Sequence, residues 1–438
     1  MKIDNIKVKS LSGEWFLEKS YYCWIVWGVA AFFFFCEYFA RVSPGVMAQE
    51  LMRDLAISGL GLGSLSAFFY YPYLAMQLPV GLLVDRFGVR RLLSTMAVLT
   101  GLSCIVFSQA HGLGLAKLGR FLLGFSASFA FVGALKLASV WFPAQRFGLL
   151  AALTQTMGML GAVVGEAPVS YLVDSIGWRQ TMMVMAVAFI VLAGVIAMVV
   201  RDQQKGAKAA NGAHHEHDAM TLWQSLLKVM SNPQSWWNCL YAGLVFAPTA
   251  AFAELWGVTY LMDARGLSHS AAAWAVGMIF IGWGLGGPFM GWLSDRIGKR
   301  RPLMWFSASA GAITMGALFF IPHLSTAFIY VLMLVYGATN AGVAISYAVA
   351  SEINPRPVAG TSIAFANLAS VIIGAGFQPV IGLLLDLQAT PVLHNNLPVY
   401  PPEVFVLAMA MLPICSLLAV FVTFLVKETH CRAVGNNH

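Results

Sequence analysis

Charge is what this sequence has least of. Asp, Glu, Lys and Arg make up 10% of its 438 residues, where a soluble domain carries about 25%. A soluble globular class is thereby excluded. Signatures of chemistry are missing as well. There is no G-x-x-x-x-G-K-[ST] phosphate loop to support ATP-driven transport, and no H-E-x-x-H or G-x-S-x-G. No enzyme activity and no cofactor are expected. Cysteine is sparse. The six residues Cys23, Cys36, Cys104, Cys239, Cys415 and Cys431 include no C-x-x-C pair, and most lie in apolar runs, so they read as packing residues rather than a disulfide or metal set. The tract His214-His215-Glu216-His217-Asp218 stands alone in a polar stretch and reads as solvated chain, not as a metal site.

What is present is apolar. Hydrophobic residues reach 59% and the mean hydropathy is +0.74. The apolar runs have the length of bilayer-spanning helices, about 20 residues each. The in/out alternation of a barrel is absent, so the runs must be helices, which satisfy their own backbone. Twelve spans can be marked, at 21–46, 62–84, 91–110, 116–140, 147–173, 179–200, 237–262, 271–293, 302–321, 325–350, 359–386 and 402–426. The stretch 201–235 is the one long polar segment between them. The chain therefore divides into a polar N-terminus 1–20, a six-helix bundle 21–200, a linker 201–235, a second bundle 236–426 and a tail 427–438. Most of the 26 Lys and Arg fall on the side of the termini and linker, and only Arg53, Lys117, Arg179 and Arg265 fall in the opposite loops. By the positive-inside rule both termini are cytoplasmic. The net charge of +7 is then a topology signal and gives no reason to expect nucleic-acid binding.

The chain repeats itself. Gly81-Leu-Leu-Val-Asp85-Arg86-Phe-Gly88-Val-Arg90-Arg91 follows the second span, and Gly291-Trp-Leu-Ser-Asp295-Arg296-Ile-Gly298-Lys299-Arg300-Arg301 follows the eighth. Gly148, Gln155 and Asp174 are echoed by Gly360, Asn367 and Asp386 at nearly the same spacing. Duplicated transporters bind substrate between such halves near the midplane.

The two loops resemble the G-x-x-x-D-R-x-G-R-R signature of the major facilitator superfamily, and the resemblance covers nearly the whole chain. It implies an all-α integral membrane fold of twelve transmembrane helices in two pseudo-symmetric bundles. It also implies a gating role for Gly81, Asp85, Arg86, Gly88, Arg90, Asp295 and Arg296, which in the family latch the cytoplasmic side while the cavity opens outward. Asp85 can meet a helix N-terminus or a basic group of a neighbouring helix. Plain positive-inside anchoring is the alternative. Arg120-Phe-Leu-Leu-Gly124 resembles the family's R-x-x-x-G element. Gly158-x-x-Gly161-x-x-x-Gly165-Glu166-Ala-Pro168 is similar to its fifth-helix glycine motif, with Glu166 interrupting. Arg41-Val-Ser-Pro-Gly-Val-Met47, Gly133 to Pro143 and Gly177-Trp178-Arg179 resemble the intraphagosomal amino-acid transporter branch of intracellular bacterial pathogens.

Ionisable groups inside spans are costly and mark function. Glu37 and Arg41 share a face of span one at i,i+4. They can pair with one another, or Arg41 can hold a substrate carboxylate bidentately and Glu37 a proton or an ammonium group. Glu254 lies deep in span seven with no Lys or Arg in its helix turn, and suits a proton carrier. Arg120 and Lys136 share span four but are about 24 Å apart along it. Arg120 is the better substrate or coupling group, and Lys136 snorkels to the cytoplasm. Glu166 is either the partner of a buried base or a rim charge. Trp256 and Tyr260 are cavity walls or interfacial anchors. Tyr70, Tyr71, Tyr73, Gln77, Gln155, Asn340, Tyr347, Asn367 and Gln378 are neutral groups that orient a ligand or bond helix to helix. Of these, Tyr71, Gln155, Asn340 and Asn367 join Glu37, Arg41, Arg120, Glu254 and Trp256 as the candidate binding set.

The combined expectation is a monomeric secondary transporter of the bacterial inner membrane. It takes up a small zwitterionic or anionic solute such as an amino acid, coupled to protons, by alternating access. Carriers of organic acids, carboxylate siderophores or sugar phosphates, and a non-transporting nutrient sensor, are the alternatives.

Overall fold

Nearly all the described chain is helix, as a backbone in hydrocarbon must be. The computed structural model describes residues 8–77, 79–202, 222–389, 392–394 and 397–432. Among these residues, ten helices or helix series are long and apolar enough to cross a membrane. One of them, Phe147–Val199, has 53 residues, about 80 Å of helix against a hydrocarbon core of about 30 Å. Its backbone turns at Gly177 (φ 79°, ψ 158°), where only glycine is unstrained, so it makes two crossings, spans five and six. The broken series Gly59–Ala67, Tyr70–Met76 and Pro79–Phe87 makes one more, span two. Among the described residues there are thus twelve transmembrane crossings, in two six-helix bundles.

The remaining spans are Val8–Val42 (one), Val89–Ser108 (three), Leu113–Trp141 (four), Pro233–Asp263 (seven), His269–Ile297 (eight), Arg301–Phe320 (nine), Thr326–Glu352 (ten), Arg356–Gln388 (eleven) and Pro402–Leu425 (twelve). Three small elements were not foreseen. They are a helix Ala48–Asp54 after span one, a helix Leu222–Met230 inside the expected linker, and an antiparallel hairpin of β1 (Val392–His394) and β2 (Leu397–Val399) before span twelve. The first helix also begins at Val8, within the segment expected to be a polar terminus. The histidine tract of 214–218 lies outside the described residues.

Small residues set the packing. A methyl group on Gly161 of span five would stand 2.1 Å from the carbonyl oxygen of Phe35 in span one, so these two helices touch backbone to backbone. The duplication also shows in the caps at the basic end, the end that carries Arg86–Arg91 and Lys299–Arg301. Asp202, just past span six, accepts the Arg90 N–H at 2.8 Å, while the Arg90 side chain donates to the Ala197 carbonyl at 2.7 Å. Glu428, just past span twelve, accepts the N–H groups of Arg300 and Arg301 at 2.8 and 2.9 Å, while the Arg301 side chain donates to the Thr423 carbonyl at 3.0 Å. In each half an acid beyond the last span seats the first turn of the third. Burial alone would push the Glu428 carboxyl up. The N–H groups of Arg300, Arg301, His430 and Thr429 outweigh it and hold that carboxyl below the usual range.

Candidate functional site

Both ionisable residues that meet at the junction of the halves stand where a helix is irregular. Span one stops at Val42 and tightens into a 3₁₀ turn, Ser43–Gly45, around Pro44. Arg41 is in its last turn. Span seven widens after Pro248 into a π-helical stretch, Thr249–Trp256, which carries Glu254. Such stretches recur at functional sites. Arg41 Nη2 donates to Glu254 Oε1 at 2.9 Å, and both side chains are buried. Tyr70 of span two donates its hydroxyl to the other Glu254 oxygen. Four rings surround the guanidinium, with centres at 4.8 Å (Tyr38), 5.1 Å (Tyr70), 5.5 Å (Phe69) and 5.8 Å (Tyr73). Electron-rich ring faces stabilise a cation away from water. Arg120 lies behind this cage. It stands over Phe69 at 5.0 Å and donates to the Arg41 carbonyl at 3.2 Å, closing the end of the span-one helix.

The hydrogen bonds described between the halves all lie from this pair outward, away from the basic end. Gln49 donates to Asp263 at 2.7 Å. Asp174, at the end of span five, meets His269 Nδ1 at 2.7 Å at the head of span eight, and Ser270 donates to Tyr171 at 2.8 Å. Asp386, at the end of span eleven, accepts the N–H groups of Gly59 and Leu60 at 3.0 and 2.8 Å at the head of span two, and bonds the Tyr400 hydroxyl. Asp174 and Asp386 are the echoed acids of the two halves. Each closes the outer end of its own fifth helix onto the second helix of the other half. The sequence repeat exposes this pair of positions but not their role. The outer end is sealed, and spans two and eleven approach so closely that a methyl on Gly63 would stand 2.4 Å from the Gln378 carbonyl oxygen.

A family model described as Major Facilitator Superfamily matches residues 30–379. The chain belongs to the Major Facilitator Superfamily. A probable sulfoacetate transporter of Cupriavidus necator is 24% identical over 63% of this chain and 66% of its own length. A probable galactarate/D-glucarate transporter of Bacillus subtilis is 24% identical over 76% of this chain and 80% of its own. A crystal structure of a bacterial homolog of the human lysosomal transporter Spinster superposes with a TM-score of 0.76 at 17% identity, over 92% of this chain and 97% of that one. Fold and relatives alike are those of multi-pass membrane transporters and not of enzymes.

The superfamily's signature loops are engaged inside each half, not across them. Asp85 pairs with Lys136 of span four at 2.7 Å, so Lys136 is held by a carboxylate rather than merely snorkelling. Asp295 bonds Arg300 at 2.7 Å, and Arg300 in turn bonds Glu352 at 2.6 Å. Arg86 and Arg296 are exposed and stand over Phe87 and Trp292. Gly88 has φ 82°.

Several expectations for the binding set change. Glu37 does not pair with Arg41, which Glu254 holds instead; Glu37 Oε1 is buried without a partner among the described residues. Tyr71 is 55% exposed and is not part of the cage, because one helical step from Tyr70 is a turn of about 100°. Trp256 is no cavity wall. It is fully buried and donates to the Gln378 carbonyl at 3.0 Å. Asn340 uses its amide to hold span ten on span seven, donating to the Val245 carbonyl at 3.0 Å and accepting from Thr249 at 3.0 Å. Gln155 and Asn367 are half-buried, and Asn367 accepts from Tyr347 at 3.2 Å. Glu166 has no partner among the described residues and is not at a rim, but fully buried.

Proposed function

We propose that this protein is a proton-coupled carrier of small organic anions that works by alternating access, with Arg41 as the seat of a substrate carboxylate, sulfonate or phosphate. The observation that carries this is the Arg41–Glu254 pair in its aromatic cage. A guanidinium buried where the halves meet is matched in charge and fork geometry to such an anion, and a carboxylate already occupies it. Substrate takes the place of Glu254. The relatives named for sulfoacetate and galactarate/D-glucarate support the anionic class. The basic end faces the cytoplasm of a bacterial inner membrane, with both termini and the 201–235 linker on that side, and the protein acts as a monomer. The outer seal then marks the inward-facing state. In the opposite state the Asp85 loop leaves Lys136 and latches the second half.

An amino-acid substrate, which the branch resemblance implies, is the second reading. The apposition of Arg41 and Glu254 favours it, since together they complement a carboxylate and an ammonium group.

The test is thermal stability of the purified protein with sugar acids, sulfoacetate, hexose phosphates and amino acids, followed by flux in proteoliposomes. A substrate at 100 times its Kd stabilises by about 2.7 kcal/mol, and Arg41→Ala should abolish that shift. A shift with amino acids alone would replace the anion reading by the second one. An Arg41→Ala protein that binds anions normally would remove Arg41 from the seat, and binding without flux would make the protein a sensor.

A further inference from the structure

Seven charged side chains are buried among the described residues. Arg300 and Glu352 pair at the basic end, and the other five, Glu37, Arg41, Arg120, Glu166 and Glu254, lie away from it. Arg41 holds Glu254. Glu37 and Arg120 make no ion pair among the described residues, but Glu37 lies in the field of both arginines, with Glu254 opposing it. Glu166 is the odd charge. Among the described residues neither of its carboxyl oxygens has a hydrogen-bond partner, and it takes part in none of the ion pairs; its side chain has no exposure.

Its place in the fold gives the position meaning. One stripe of span five, Gly158, Gly161 and Gly165, lies on span one. Another meets span eight of the other half, through Met159 and Val163 against Gly284 and Gly277 and through Asp174 against His269. Glu166 projects between the two stripes, so closing the outer seal buries it. The charged and titratable groups around it are engaged elsewhere. Tyr38 and Arg41 of span one belong to the cage. Tyr171 and Asp174 bond Ser270 and His269 of span eight, and Glu50 of the short helix after span one lies in the field of the latter pair. An ionised carboxylate buried in hydrocarbon without a cation or a donor is prohibitive; the neutral acid is not.

We propose that Glu166 carries the coupling proton, and that the outer seal closes only over a protonated Glu166. With the seal open, this face meets outer water and the carboxylate takes one proton from it. Sealing carries that proton inward. Gln155, on the same face and about 16 Å nearer the basic end, lies on the route of release. Glu254, which has a cation, can close as a carboxylate and is not the group that demands the proton. This assignment rests on the alternating-access reading but not on the identity of the substrate.

The test uses the full chain in nanodiscs without substrate. Spin labels on Ser175 and Leu387, exposed at the outer ends of spans five and eleven, report the sealed-to-open ratio, with the six native cysteines replaced by alanine. In the parent protein the ratio should fall as pH rises, by up to about tenfold per pH unit, the limit for one linked proton. Glu166→Gln should hold the ratio constant across pH, and Glu166→Asp should keep the response. If the Gln protein does not survive purification, Glu166→Met gives the same uncharged comparison. A parent ratio that ignores pH, or a Gln or Met variant that titrates like the parent, overturns the proposal. Failure of every organic anion to bind would instead overturn the anion reading and leave this result standing.

Discussion

At the scale of single residues, the Arg41–Glu254 pair sets the energetics of the junction. Taking two charges out of water costs about what their attraction returns, whereas removing one partner strands the other and costs about 3–5 kcal/mol. Arg41→Met alone should therefore lower the melting temperature sharply, and Arg41→Met with Glu254→Met should recover most of the loss. Melting in detergent by thiol-reactive dye would show it, and equal losses in single and double variants would mean the pair is not coupled. Both residues were legible in the sequence, because an ionisable group in an apolar run is conspicuous. Their partnership was not, since it joins positions 213 residues apart in different halves. Nor was the preference for Tyr70 over Tyr71 legible. The helix of span two breaks between Ala67 and Tyr70, which resets the phase that a periodic reading relies on.

At the scale of elements, caps and close approaches decide how helices meet. Replacing Glu428 with Ala removes the acceptor for the first turn of span nine and should cost about 0.5–2 kcal/mol, the range of a lost N-cap. Because the Glu428 carboxyl is held below its usual range, that contribution is present above the ordinary carboxylate pKa and fades as pH falls through the lowered one. Gly63→Ala acts differently. Its methyl meets backbone, which cannot step aside, so it should shift the outer seal toward open and make cysteines placed at spans two and eleven more reactive to a water-soluble maleimide. Unchanged reactivity would show that these helices yield. The positions of the spans were legible because hydropathy sets them. The hairpin of Val392–His394 and Leu397–Val399 and the helix Leu222–Met230 were not, because they pack on helices far along the chain, Ala48–Asp54 and span eleven respectively.

At the scale of the whole molecule, the two halves repeat each other's seals. Asp174 joins span five to span eight and Asp386 joins span eleven to span two, with no partner in common. Asp174→Asn and Asp386→Asn should each favour the open state, with effects that add within about 0.5 kcal/mol, as read from the same label distances across the seal. Strong non-additivity would mean that the edges open as one. The repeat marks where these acids are; only the fold shows that each faces the other half.

The widened turn in span seven has a mechanical consequence. A π-helical stretch holds its chain slightly out of register with the α-helix on either side. Were that stretch to relax by one residue, everything beyond it would rotate by about 100° about the helix axis. Glu254 stands inside Thr249–Trp256. A slip of one residue would swing its carboxylate off the guanidinium and turn Gly257–Asp263 with it. Asp263, which Gln49 of the other half holds, would turn as well, so freeing Arg41 and loosening the outer seal would be one motion.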